Sequence, residues 1–475
     1  MKYIIGYCLV FFILITKASF GISSSLTWLL CYIIAITFIW KSDPLSPEPW
    51  LFFSWNVLFI NLFSGIRYTP SNVDFLPPVA YALIFLFCFH LGYRLNKKKV
   101  DKNNIKRFEY LISLKSNRKM QYIYTIAGIC SIIGVVLVLF DIFFMLGLSM
   151  DGGERRAGFI ENFSNLSWRT NIGMVLAGGI YVSMFSIFWG GNKKNSIIGV
   201  LSFFSSILYS FAIGGKQGVL LSLLVVSFAL FVRKKYNVKS AISIYAKFGS
   251  VCVLFFVFSY ITLLSSERHE NAGTGDLLND TEHFSKEFIA ESNKYLPNSI
   301  KNTFAEFFGY YCDQLGTFSE QWNIENYPEK YGGINIVSDP ISPFVFIDRQ
   351  VKKIFPYYCK IFPDEEDLIK RIANQKKGYY GLANWQTIIV QGLRLYGIVG
   401  LLIVFFMHGF FSKTLVVSTK NNFSYSKMGL CFINAAFMVY TIMCNILGET
   451  SILIYLIFLL YCLYREVKRK NIFPF

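Results

Sequence analysis

Long apolar runs separated by short polar stretches fill the chain from its start to about residue 264, and again from about residue 391 almost to its end. The first runs cover about Tyr3 to Thr16, Ser24 to Trp40, Leu51 to Ile66, Pro78 to Gly92, Gln121 to Leu148 and Asn171 to Gly190. The others cover about Ser196 to Ile213, Gly218 to Val232, Ile242 to Leu264, Gln391 to Phe411, Met428 to Leu447 and Ser451 to Tyr464. A helix of roughly 20 apolar residues crosses a hydrocarbon core about 30 Å thick, so the pattern predicts an all-α polytopic membrane protein of about twelve transmembrane helices. An even number of spans puts both termini on one side.

The basic residues orient the chain. With the N-terminus inside, the inward connections hold Lys97, Lys98, Lys99, Lys102, Lys106, Arg107, Lys115, Arg118 and Lys119, then Lys193 and Lys194, then Arg233, Lys234, Lys235 and Lys239. Lys413, Lys420 and Lys427 follow, and the tail ends on Arg465, Lys468, Arg469 and Lys470. Positive charge favours the cytoplasmic side of a membrane, so both termini are expected there. The first run has no small-residue cleavage site after it and reads as an uncleaved signal anchor. No internal repeat or linker-like tract breaks the chain, which reads as membrane spans over 1–264, a large outer insertion over 265–390 and further spans with a basic tail over 391–475.

The insertion holds most of the acidic residues. Within it Phe304, Phe307, Phe308, Tyr311, Leu315 and Phe318 recur at helical spacing, which predicts an amphipathic helix on the membrane domain or at the interface. Glu306, Asp313 and Glu320 share the opposite face. Such a stripe reads either as an ordinary solvated face or as carboxylates that bind hydroxyls and take a proton.

Composition narrows the function classes. Of 475 residues 54% are hydrophobic, 18% aromatic and only 16% charged, which excludes a soluble protein, and the net charge of +17 is spent on orientation rather than on nucleic acid. Of the ten cysteines, Cys312 and Cys359 alone fall in the insertion; they can pair, although nothing forces them together, and the rest read as small buried residues. The chain lacks a phosphate-cradling GxxxxGK[ST] loop, a GxGxxG turn, HExxH, GxSxG and an Asp-x-Asp pair, so no metal and no cofactor are expected. Charge inside the spans is sparse, with Asp141 and Arg394 the clear cases.

The outer connections nevertheless carry positive charge. One reads Asp151-Gly152-Gly153-Glu154-Arg155-Arg156-Ala157-Gly158 and continues to Arg169; another is the short turn Gly214-Gly215-Lys216-Gln217-Gly218. Adjacent guanidiniums flanked by glycine can clamp phosphate oxygens bidentately, and a lysine amid glycine amides suits an anion. The plainer alternatives are snorkelling to lipid phosphates and pairing with Glu154 or Asp151. Of the histidines, His90 and His408 fall toward inner span ends, whereas His269 and His283 fall in the insertion, where a histidine serves as a surface residue or a general base.

The Arg155-Arg156 pair, the Gly214–Gly218 turn, and the return from the insertion at Asn384-Trp385-Gln386 through Tyr396-Gly397-Ile398-Val399-Gly400 resemble the Wzy-type oligosaccharide repeat unit polymerases. The family's turn usually reads Gly-Ser-Arg, and Lys216 departs from it. The resemblance implies a bacterial inner-membrane enzyme with a GT-C-like architecture and a mainly helical periplasmic loop. It implies polymerisation of undecaprenyl-pyrophosphate-linked repeat units into O antigen or a related surface polysaccharide. On that reading Arg155, Arg156, Lys216 and Arg169 bind the pyrophosphate, and Glu306, Asp313 or His283 is the general base. The expected partners are lipid-linked glycans, the bilayer and a chain-length regulator, with no nucleic acid. The rivals are an O-antigen ligase, which shares the large outer loop, and a lipid-linked oligosaccharide flippase, which lacks it.

Overall fold

A computed structural model gives the architecture, which is almost entirely helical with no strand among the described residues. The structure describes residues 2–17, 19, 21–65, 76–113, 118–148, 167–180, 183, 193–212, 224, 227–228, 231–232, 234–236, 285–295, 388–442 and 450–472. The helices are α1 (Lys2–Thr16), α2 (Ser24–Trp40), α3 (Glu48–Phe63), α4 (Leu76–Leu95), α5 (Lys102–Ser113) and α6 (Arg118–Phe140), then α7 (Trp168–Ala177), α8 (Lys193–Ala212), α9 (Lys286–Tyr295), α10 (Ile388–Asn421), α11 (Tyr425–Tyr440) and α12 (Thr450–Ile472). Among the described residues, three helical stretches are long and apolar enough to cross a membrane: Pro78–Leu95, Thr125–Met145 and Ile398–Asn421. Shorter apolar stretches are Lys2–Thr16, Ser24–Trp40, Ile197–Ala212 and Ser426–Tyr440, in α1, α2, α8 and α11.

The exposed faces of these helices are apolar. Ile5, Leu9, Phe12 and Ile15 form such a stripe on α1, and Ile126, Ile129, Ile133, Val136 and Phe140 form another on α6. Apolar stripes at helical spacing on an outer surface would cause aggregation in water and suit a hydrocarbon solvent.

The chain divides into two compact units, one of Met1–Lys97, Thr274–Thr414 and Phe437–Gly448, the other of Lys98–Gly273, Leu415–Ala436 and Glu449–Phe475. In the first unit α3 is the core helix. Its residues are buried on every side from Glu48 to Leu62, apart from the half-buried Phe53, as expected of a helix that is apolar all round. Tyr3 and Tyr7 meet Phe52 and Phe11 meets Phe59 and Phe63, so α1 runs parallel to α3. Phe38 meets Phe52 while Trp28 and Tyr32 donate to Asn61 Oδ1 at 3.0 Å each, so α2 runs antiparallel to both. Phe85 to Phe405, Phe89 to His408 and Tyr93 to Lys413 set α4 parallel to α10. Gly92 and Gly409 let those two backbones touch, since a Cβ on either would strike the carbonyl of Phe406 or Phe89.

In the second unit α6 and α7 cross just as closely. A Cβ on Gly134 would lie 2.6 Å from the Gly173 carbonyl oxygen, and one on Gly173 would lie 2.7 Å from that of Gly134. Helix α8 packs on α6 and α12 on α7. Helix α5 lies in the basic connection after α4, where hydropathy predicts no span. It buries Phe108 against Tyr236 and Phe423 and exposes Lys106, Arg107 and Glu109, which makes it amphipathic rather than apolar. Helix α10 continues past Phe411, the expected end of its span, to Asn421, because neither glycine nor proline interrupts that stretch.

Candidate functional site

The buried charge of the second unit gathers where α6 ends. The helix widens there into a π turn over Asp141–Met145, and the Leu146 amide donates to the Asp141 carbonyl at 2.9 Å, one residue further back than in an α-helix. Val138 and Ile142, both fully buried, anchor the turn against Ala212. The Asp141 carboxylate is 2% exposed and accepts three hydrogen bonds from the start of α7. Thr170 Oγ1 donates to Oδ2 at 2.7 Å, Ser167 Oγ donates to the same oxygen, and Arg169 Nε donates to Oδ1 at 3.1 Å.

Ser167 has a second role as the N-cap of α7, accepting from the amides of Arg169 at 3.1 Å and Thr170 at 3.3 Å. The cap fixes how α7 starts and therefore where Arg169 emerges. The Arg169 side chain is 31% exposed, its Cζ lies 5.8 Å from the Phe140 ring centroid, and its Nη atoms make no hydrogen bond among the described residues. A guanidinium held by Nε keeps the edge that recognises a carboxylate or phosphate fork.

A second cluster joins α3 and α4. Glu48 opens α3 and its Oε1 lies 3.0 Å from His90 Nδ1 and 4.0 Å from Arg94 Nε. Tyr3 stacks on the His90 ring at a centroid distance of 5.7 Å, and Tyr7 meets it edge-on at 6.4 Å. His90 Nε2 and the Tyr7 hydroxyl are buried without a partner among the described residues. At the opposite end of α1, Lys17 is half-buried beside Gly65 and Ser24; burial pulls its ammonium below the usual lysine range, and Glu287 of α9 acts in the other direction.

Of the anion-binding residues read from the sequence, Arg169 is placed, and it is paired with Asp141. Arg155, Arg156 and Lys216 lie outside the described residues, as do Glu306, Asp313 and His283, and Cys312 with Cys359. The connection bearing Arg155 and Arg156 leaves the described chain after Leu148 and rejoins it at Ser167, so Asp141 and Arg169 flank it in the sequence. His408 packs between Phe89 and Phe437, at centroid distances of 5.8 Å and 5.0 Å. Hydropathy treats Glu48 as a polar residue ahead of a span and so misses its pairing with His90. The available signal was that an acid opening one span and a histidine closing the next must lie at the same membrane end. No group of three metal-ligating side chains occurs among the described residues. No protein-family model, no curated protein and no solved structure matches the chain.

Proposed function

We propose that the chain is a polytopic inner-membrane glycosyltransferase that polymerises undecaprenyl-pyrophosphate-linked repeat units into O antigen or a related surface polysaccharide at the periplasmic face. The observation that carries this reading is the Arg169 guanidinium, held by Nε on a buried carboxylate with its Nη atoms unbonded among the described residues, where the connection that bears Arg155 and Arg156 begins and ends. The glycan on one carrier passes to the non-reducing end of a second lipid-linked unit, and undecaprenyl pyrophosphate leaves. The acceptor hydroxyl gives its proton to a general base, for which Glu306, Asp313 and His283 are the candidates. Charge developing on the leaving diphosphate is met by Arg155, Arg156, Arg169 and Lys216, so the protein's work is to align two lipid-anchored reactants and neutralise that charge. The proposal includes about twelve spans, a GT-C-like architecture and a chain-length regulator as partner.

Surface polysaccharide from a strain lacking the chain tests this reading. Core capped by a single repeat unit supports a polymerase; bare core with accumulating lipid-linked polymer identifies a ligase instead. Arg156→Ala, Arg169→Ala and Lys216→Ala are each expected to abolish long chains while leaving protein level and single units intact, and normal ladders in all three would sink the anion-site assignment. The buried Glu48–His90 pair favours a second reading, a proton-coupled flippase of the same lipid-linked unit, because ionisable groups within membrane bundles often relay protons. Its loss would trap the unit on the cytoplasmic leaflet.

A further inference from the structure

We infer that Asp141 is a positioning residue that turns the Arg169 guanidinium so that its Nη edge meets a diphosphate; the inference rests on the reading above, that the outer arginines bind that group. A guanidinium can meet an oxyanion along its Nε–Nη side or across its two Nη atoms, and which side is offered depends on what holds the other. Here Nε is committed to Asp141 Oδ1, and the Nη pair has no hydrogen bond among the described residues.

Four features make that commitment firm. The carboxylate itself cannot turn, because Ser167 and Thr170 both donate to its other oxygen. Ser167 in turn is fixed as the cap of α7. The π turn supplies the carboxylate's place, since it shifts the residues after Phe140 relative to a continued α-helix, and such turns recur at functional sites. The Phe140 ring beside Cζ keeps the guanidinium from swinging toward the α6 surface. A surface ion pair formed only to satisfy two charges would need neither the hydroxyl pair nor the widened turn.

The sign of one measurement separates positioning from neutralisation. An acid beside an anion site repels the anion, so if Asp141 merely balanced Arg169, its removal would tighten diphosphate binding. If it positions Arg169, removal weakens binding. The full chain in phosphatidylcholine nanodiscs is titrated with inorganic pyrophosphate and, separately, with undecaprenyl pyrophosphate. Asp141→Ala is expected to weaken binding about tenfold, the size of one lost charge-assisted hydrogen bond. Asp141→Asn, which keeps an acceptor for Nε and the side-chain volume, should fall between it and the wild type, and it carries the comparison if Asp141→Ala does not fold. On an Arg169→Ala background Asp141→Ala should cost nothing further, whereas a merely structural role would give additive losses. Weakening with both probes marks recognition of the diphosphate itself, and weakening with the lipid probe alone marks recognition of the membrane-borne headgroup; either supports the inference. Unchanged or tighter binding in Asp141→Ala, or additivity in the double variant, overturns it. Weakened binding in Arg169→Ala with none in Asp141→Ala removes the inference alone, and wild-type affinity in Arg169→Ala removes the diphosphate reading of that residue as well.

Discussion

Ionisable side chains are few in the described helices, and their burial decides what each does. Glu48 and His90 each spare the other an unpaired polar atom, so Glu48→Ala strands His90 Nδ1 and should lower stability by about 1–3 kcal/mol, measured by unfolding in detergent. His90→Phe strands the buried Glu48 carboxylate in turn and should also lower stability. His90→Asn, which keeps a donor for Glu48 Oε1, should retain the fold; if it loses transport of lipid-linked units the flippase reading gains the pair as its relay, and if it keeps full function the pair is structural. Lys17 offers a pH test. Its folded pKa lies below the ordinary value of 10.5, so between the two the unfolded chain binds more protons and stability rises with pH across that window. Below that window the ammonium is charged in both states and its burial destabilises the fold. Lys17→Met should therefore stabilise the protein below the window and flatten the rise across it, and a rise that persists in the variant would assign it to another group.

Helix contacts depend on a few residues without side chains. The backbones of α6 and α7 meet at Gly134 and Gly173, and the crossing sets Asp141 on one helix against Arg169 on the other. Gly134→Leu must push the backbones apart, with an expected loss of about 1–3 kcal/mol from overpacking and a parallel loss of long polysaccharide chains. Gly134→Leu with wild-type thermal stability would show that the helices do not approach as described. Gly65 is a different case: at φ +87° it occupies the left-handed region, and Lys17 and Ser24 fill the space where a Cβ would stand. Glycine is needed there for backbone reasons and for room at once. The helical pattern itself was legible, because an apolar stripe at helical period is a local property. The π turn was not, since nothing in Asp141–Met145 differs from an ordinary apolar helix end except the carboxylate that the turn accommodates.

For the whole molecule, direction through the membrane follows from which helix ends meet. Lys2 and Tyr3 at the start of α1 hydrogen-bond to Ser42 just after α2, and Tyr3 stacks on His90 near the end of α4. Helix α10 runs with α4. In a cysteine-free background, single cysteines at Lys97 and Lys413 should therefore label from one side and a cysteine at Ile22 from the other; labelling of Lys97 and Lys413 from opposite sides would contradict the parallel pairing. The sequence by itself determined that the chain is helical and strongly apolar, and which charged residues were candidates for chemistry. Hydropathy and periodicity are summed over neighbours in the chain, and they need no partner. The tertiary structure alone decided that α3 is the buried core helix while α1 and α6 show apolar stripes outward, because lipid and protein interior are equally apolar and the same pattern serves both. It alone joined Glu48 to His90 and Asp141 to Arg169, since a charge in the sequence carries no mark of the residue that will neutralise it. That choice is made by helices brought together across connections whose length says nothing of their path.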